Sequence, residues 1–276
     1  MNRYQPTEKE VEEFKEKLYK MYDAKDRADY EGSIAKYECT INKELGIFKE
    51  RHSLQSKDHI MEQFAYEIAE VLGVPCCKDS CRKVNGVYGS FSRYEVPDLN
   101  NVIAFKSICG YKDLFSNDLF NFCIDKVGRT NQFVIRIYQY VIFDFILGQL
   151  DRHMENLAVY RHNGNLSWYP LYDNGFCCFS TDSNDNAIER LNKGFYFSRM
   201  GSDSEILNDL INFRDIIYPG DLRNIIKYHM ISKDLLYKLI DKSDKYNQMC
   251  ETRRQATIQF ICKQCECIHN LNIRRY

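Results

Sequence analysis

In the stretch DRHMENLAVYRHNGNLSWYPLYDNG, Asp151, Asn156 and Asp173 offer two carboxylates and a carboxamide. Between them lie two short strand-like runs joined by Asn163-Gly164, a dipeptide suited to a tight hairpin turn, so the three groups fall at the ends of one hairpin. Phosphoryl transfer asks little covalent chemistry of a protein. It requires Mg²⁺ held against the ATP phosphates and an acidic group beside the incoming hydroxyl. In that chemistry Asp151 orients the hydroxyl and accepts its proton, Asn156 gives magnesium one oxygen, and Asp173 bridges the metal to the phosphates. An all-oxygen donor set suits magnesium rather than zinc.

The elements that must position these groups are readable on both sides. Thr7 and Glu10 form a capping box ahead of Val11, Phe14 and Leu18, which gives a leading amphipathic helix. Two alternating runs, SIAKYECTI and ELGIFKE, joined by Asn42-Lys43, read as a hairpin with Lys49 at the end of its second strand. A helix from about Ser56 to Leu72 carries Ile60, Phe64, Ile68 and Leu72 as one stripe and stops at Gly73. Two more strands are expected between Val84 and Tyr94, and a hinge near Glu95 to Asp98. Beyond it a helix from Asn131 to Gly148, apolar nearly all round but for Asp144, is the expected buried axis. Three or four further helices follow Ser202: SDSEILNDLINF, GDLRNIIKYHM, SKDLLYKLIDK and one through Gln259. The fold class is thus α+β in two lobes, residues 1–96 with a small antiparallel sheet and residues 97–276 mainly helical. The polar stretch Ser180 to Asn186 reads as a surface loop, with an activation or substrate-binding segment as its alternative. Phe195, Phe197, Tyr218 and Tyr228 are expected in the core.

The 276 residues carry 38 basic against 39 acidic side chains, which lacks the electrostatic footprint of a nucleic-acid binder. No run is long and apolar enough for a membrane span, and no apolar leader opens the chain, so a cytoplasmic protein is expected. The twelve cysteines, irregularly spaced, read as reduced thiols. Cys262, Cys265, Cys267 and His269 have the ligand types of a zinc site but no second paired motif; free thiols on a helix are the default reading.

DRHMEN followed by YDNG resembles the D-x-H-x-x-N and D-x-G pairs of HipA-like serine/threonine kinases, closest to the cell-translocating kinase A subgroup, and shares DRH with phosphoinositide kinases. The resemblance runs from about Tyr30 to Phe179. It implies a kinase-like fold, ATP and Mg²⁺ as cofactors, and a protein Ser or Thr acceptor. It assigns the ATP-binding lysine to Lys49, in NKELGIFK, and its partner glutamate to Glu62, in MEQFAYEIAEVLG. His153, beside Asp151 in the catalytic loop, is implied to brace that loop by hydrogen bonds. Gly32-Ser33 stands where a phosphate-covering glycine loop belongs, although no multi-glycine run exists and a plain turn fits equally. Ser33 is the expected autophosphorylation site, and the group resembled brings in a regulatory antitoxin-like partner. A lipid or small-molecule kinase and a catalytically inactive binding module are the competing readings.

Overall fold

The computed structural model describes residues 36–96, 99–110, 113–129, 131–162, 165–241 and 244–273. The leading helix, Gly32-Ser33 and Asn163-Gly164 lie outside these residues.

Strands β1 (Lys36–Ile41) and β2 (Glu44–Glu50) form an antiparallel hairpin. Its turn residues, Asn42 and Lys43, have φ of 53° and 66°, the left-handed pair whose twist matches that of the flanking strands. Helix α1 (Asp58–Leu72) buries the expected stripe and ends at Gly73, whose φ of 73° frees its N–H for the carbonyls of Ala69 and Glu70. Strands β3 (Asp79–Val84) and β4 (Val87–Arg93) complete a four-stranded antiparallel sheet in the order β1-β2-β4-β3, with α1 packed on β3 and β4. The second pair starts five residues before Val84, earlier than the sequence suggests. The inward positions of β3 are Asp79 and Cys81, both buried, so the strand lacks the β-branched face that announces one.

The larger, mainly helical part opens with β5 (Val102–Ala104) and the short α2 (Phe105–Ile108), followed by α3 (Ser116–Val127). Its axis is α4 (Gln132–Leu147), capped by the Asn131 carboxamide at one end and left-handed Gly148 at the other; every residue from Ile137 to Leu147 is buried. Strands β6 (Ala158–His162) and β7 (Asn165–Trp168) join β5 in a three-stranded sheet. The chain continues through α5 (Asn184–Lys193), the two-residue strands β8 (Phe197–Ser198) and β9 (Gly201–Ser202), α6 (Asp203–Ile217), α7 (Lys233–Asp241) and α8 (Glu251–Ile273). One continuous apolar core joins α1 to α4, α6 and α8. Among the described residues no helix is long and apolar enough to cross a membrane.

Four expectations change. The polar stretch Ser180–Asn186 is not a free loop: Ser180 is buried, Asn184 already opens α5, and buried Arg253 of α8 donates to the carbonyls of Phe179 and Asp182. Ser183 caps α5, Ser180 Oγ donates to the Gly175 carbonyl, and the Asn184 side chain accepts from Arg253. The segment GDLRNIIKYHM forms two 3₁₀ turns, Leu222–Asn224 and Tyr228–Met230, because Leu222 N–H goes to the Asn272 side chain and Lys227 N–H to the Leu72 carbonyl. Helix α8 runs fourteen residues past Gln259, burying Ile261, Cys265, Ile268 and Leu271 at helical spacing. Its cysteines are free thiols, and no metal-binding group of three occurs among the described residues. Finally, Tyr228 is buried but Phe195 and Phe197 are 56% and 71% exposed.

The hairpin turn generates a stability prediction. Lys43 bears the steric cost of the left-handed region, about 1–2 kcal/mol for a non-glycine residue, against roughly 0.5–1 kcal/mol of chain entropy that glycine adds. Lys43→Gly should therefore raise the melting temperature by ~2 °C, and Lys43→Pro, which cannot adopt a positive φ, should lower it. Thermal denaturation of both variants checks the turn; a Lys43→Pro protein as stable as the parent excludes it.

Candidate active site

Lys49 lies one residue from the end of β2 and is buried. Its ammonium contacts Glu62 Oε1 at 2.7 Å and Asp173 Oδ1 at 2.6 Å. Burial disfavours the charged ammonium, but the carboxylates of Asp173 and Glu62 more than offset this and hold its pKa above the ordinary lysine range. Burial likewise opposes ionisation of Asp173, yet Lys49 first and Lys36 second keep its carboxyl well below the usual range. Lys36 stands directly opposite Lys49 in the β1–β2 register and reaches Asp173 Oδ2 at 3.3 Å. Two lysines facing each other across a ladder repel unless an anion lies between them, and here Asp173 fills that place.

Glu62 reaches Lys49 because the start of α1 is pinned on two sides. The Asp58 carboxylate accepts from His52 N–H and Ser56 Oγ, and Lys57 N–H donates to the Ser180 carbonyl at 2.7 Å. The chain after Asp173 then passes close beneath the helix. A Cβ at Gly175 would lie 2.9 Å from the Asp58 carbonyl oxygen and 3.0 Å from Glu62 Oε2, so only glycine fits. Asp173, Cys178 and Phe179 of this segment have φ of 57°, 49° and 55°, a run of left-handed conformations that only the surrounding bonds can sustain.

Between α4 and β6, the loop bearing Asp151 is organised by Arg152. This guanidinium is 1% exposed and grips both oxygens of Asp144, at 2.8 and 3.0 Å. It also donates to the carbonyls of Asn156 and Tyr172 and to the Asn174 carboxamide. Gln149 adds a second tie, accepting from Asp151 N–H at 3.1 Å and donating to the Asp173 carbonyl at 3.3 Å. Asn156, buried, donates through Nδ2 to the Asp151 carbonyl at 3.0 Å. His153 Nδ1 accepts from Glu155 N–H at 3.2 Å, while its Nε2 is 3.9 Å from Asp151 Oδ2. The Asp151 carboxylate stays at the surface, its side chain 30% exposed, with Arg199 Nε on Oδ1 at 2.8 Å.

The structure thus brings Lys49 into direct contact with both Glu62 and Asp173, and ties Asp151 and Asn156 to Asp173 through Arg152 and Gln149. Gly32 and Ser33 lie outside the described residues. Lys36, Asp144, Gln149, Arg152 and Arg199, which the structure places around the candidate site, are not singled out by sequence alone. Asp144 carried a signal, being an acid within an otherwise apolar buried helix, where a charge requires a partner. Arg152 was the cation nearest to hand.

No family model and no curated protein matches the sequence. Solved structures do. The Helicobacter pylori proinflammatory kinase CtkA superposes with a TM-score of 0.67 at 15% identity, over 91% of this chain and 96% of that one. HipA of Shewanella oneidensis MR-1, from a toxin–antitoxin complex with HipB and operator DNA, gives a TM-score of 0.56 at 14% identity, over 93% of this chain and 70% of that one. The chain has the kinase-like fold of these two proteins, with a small antiparallel sheet followed by a larger helical part.

The buried pair yields a prediction. Arg152→Met strands the Asp144 carboxylate in the core and should cost about 3–5 kcal/mol. In the double variant Asp144→Leu/Arg152→Met no charge is left unpaired, and much of that loss should return. Urea denaturation of the two variants measures it, and a double variant no more stable than Arg152→Met would show that the guanidinium's bonds to the loop, rather than the ion pair, hold the site together.

Proposed function

We propose that this chain is an ATP- and Mg²⁺-dependent phosphotransferase, a HipA-like kinase acting on a Ser or Thr hydroxyl of a protein. The observation that carries this reading is Lys49 held between Glu62 and Asp173: a lysine fixed by a helix glutamate and set against a second acid is the arrangement that orients nucleotide phosphates in kinases. The order lysine, glutamate, Asp151, Asn156, Asp173 along the chain supports it, and so does the fold shared with CtkA and HipA.

The donor set fits a dication. Both oxygens of Asp173 already hold cationic groups, the ammoniums of Lys49 and Lys36, which stand in for a metal's charge. Asn156 uses its amide nitrogen toward the Asp151 carbonyl, which leaves the amide oxygen for a ligand role. Asp173 and Asn156 would therefore hold magnesium, and Lys49, steadied by Glu62, would hold the nucleotide phosphates. Bound there, ATP would supply the phosphoryl group and the dication would offset the negative charge that develops on it. Asp151, at the surface, orients the acceptor hydroxyl and takes its proton as the new P–O bond forms and the bond to the ADP leaving oxygen breaks. His153 makes its hydrogen bond inside the loop that carries Asp151, and braces that loop rather than serving as the base.

The two aspartates should fail differently. Asp151→Asn should leave Mg-ATP affinity within about twofold while turnover falls by ~10²–10⁴, since a proton acceptor acts mainly in the transition state. Asp173→Asn should abolish turnover and also remove the magnesium dependence of ATP binding, because an amide is a poorer ligand for a hard dication. Calorimetric titration of ATP with and without Mg²⁺, beside a radiolabelled phosphate assay, separates the two. Metal-dependent binding lost in Asp151→Asn but kept in Asp173→Asn would reverse the roles, and no binding to the parent protein would end the kinase reading.

A further inference from the structure

The turn between β8 and β9 stands over Asp151. Phe197 pairs with Ser202 and Ser198 with Gly201, which leaves Arg199 and Met200 as the two turn residues. Met200 is buried and its carbonyl accepts from Ser116 N–H at 3.2 Å; Arg199 N–H donates to the Leu150 carbonyl at 3.1 Å. With its backbone fixed, Arg199 reaches across to Asp151, Nε to Oδ1 at 2.8 Å, while its side chain remains 58% exposed. Among the described residues its two terminal nitrogens make no hydrogen bond.

A guanidinium resting on the carboxylate that must receive a hydroxyl occupies one of the two oxygens needed. Its charge also reaches the Glu155 carboxylate, which already has a partner. Glu155 is paired with Lys106 at 2.9 Å. A carboxylate arriving with the acceptor would supply what is lacking, because Arg199 presents an open fork of donors that matches a carboxylate's two oxygens. Taking up that carboxylate, Arg199 would release Asp151 Oδ1 to the hydroxyl. Phe197, exposed on the strand leading into the turn, and Phe195, exposed two residues before it, provide an apolar edge along which an extended polypeptide could lie.

We propose that Arg199 is the residue that selects the acceptor, favouring a Ser or Thr directly beside an acidic residue, whose carboxylate draws the guanidinium off Asp151. This inference rests on the kinase reading and names its substrate class. Arg199 is a specificity and positioning residue in this account, and Asp151 keeps the chemistry.

The test uses the full chain, Mg-ATP and three acceptor peptides identical except that the residues flanking one Ser are Glu, Gln or Lys. The parent protein should show a KM about tenfold lower for the Glu peptide than for the Gln peptide, as expected for one charge-assisted contact, with kcat little changed. Arg199→Glu should reverse the order and favour the Lys peptide, which a purely structural role would not produce. Equal KM values in the parent protein overturn the proposal. So does an Arg199→Ala variant that speeds all three peptides alike, which would make the contact a simple latch. If no peptide accepts phosphate while Mg-ATP still raises the melting temperature, the substrate proposal fails and the kinase reading stands; if Mg-ATP leaves the melting curve unmoved, both fall.

Discussion

An ammonium group cannot be placed in the interior without anions around it, and Lys49 sets this requirement for the rest of the molecule. Its two partners come from distant parts of the chain: Glu62 from α1, and Asp173 from the segment after β7. Satisfying them fixes where the sheet, the helix and the following segment meet. The tightness at Gly175, the Lys57 bond to Ser180 and the Asp58 contacts with His52 and Ser56 all serve that convergence. The sheet and the helical part are joined by charge at this point as well as by apolar packing.

Arg152 is the counterpart on the other side. A guanidinium has five donors in a rigid plane, and this one spends them on a helix carboxylate, two loop carbonyls and the Asn174 amide. A lysine could not span that set. The Asp144 carboxylate keeps the guanidinium charged despite complete burial. Because Arg152 adjoins Asp151 and Asn174 adjoins Asp173, one side chain sets the spacing of both candidate acids. The site is therefore preorganised by residues that need never touch a ligand.

The outer edge of the site follows different physics. Arg199 is solvent-exposed and Asp151 partly so, and their contact is modest in energy and exchangeable. Buried charges hold the Lys49 side of the site in one geometry, whereas exposed ones leave the Asp151 side open to exchange. The exposed Phe195 and Phe197 belong to the same edge, Phe197 on a two-residue strand paired only with β9 and Phe195 just before it. A strand so short has no second layer to cover its side chains.

The amino-acid sequence determined what depends on neighbours along the chain. Asn42-Lys43 sets a two-residue turn, Gly73 and Gly148 stop their helices, and Asn131 caps α4, because backbone dihedrals and capping bonds are local. Lys49, Glu62, Asp151, Asn156 and Asp173 could be picked out as candidates for a similar reason: their types and order stand in the chain itself, before any position in space. What the chain could not disclose is what depends on surroundings. Strand β3 hid behind an inward Asp79, residues 222–230 traded a helical ladder for bonds to Leu72 and Asn272, and α8 continued because Ile261, Cys265 and Ile268 found a core to enter. The same holds for Asp144 with Arg152, for Lys36 on Asp173, and for Arg199 on Asp151, 48 residues away along the chain. A side chain's partner is decided by which surfaces meet when apolar area is buried, and only the tertiary structure decides that.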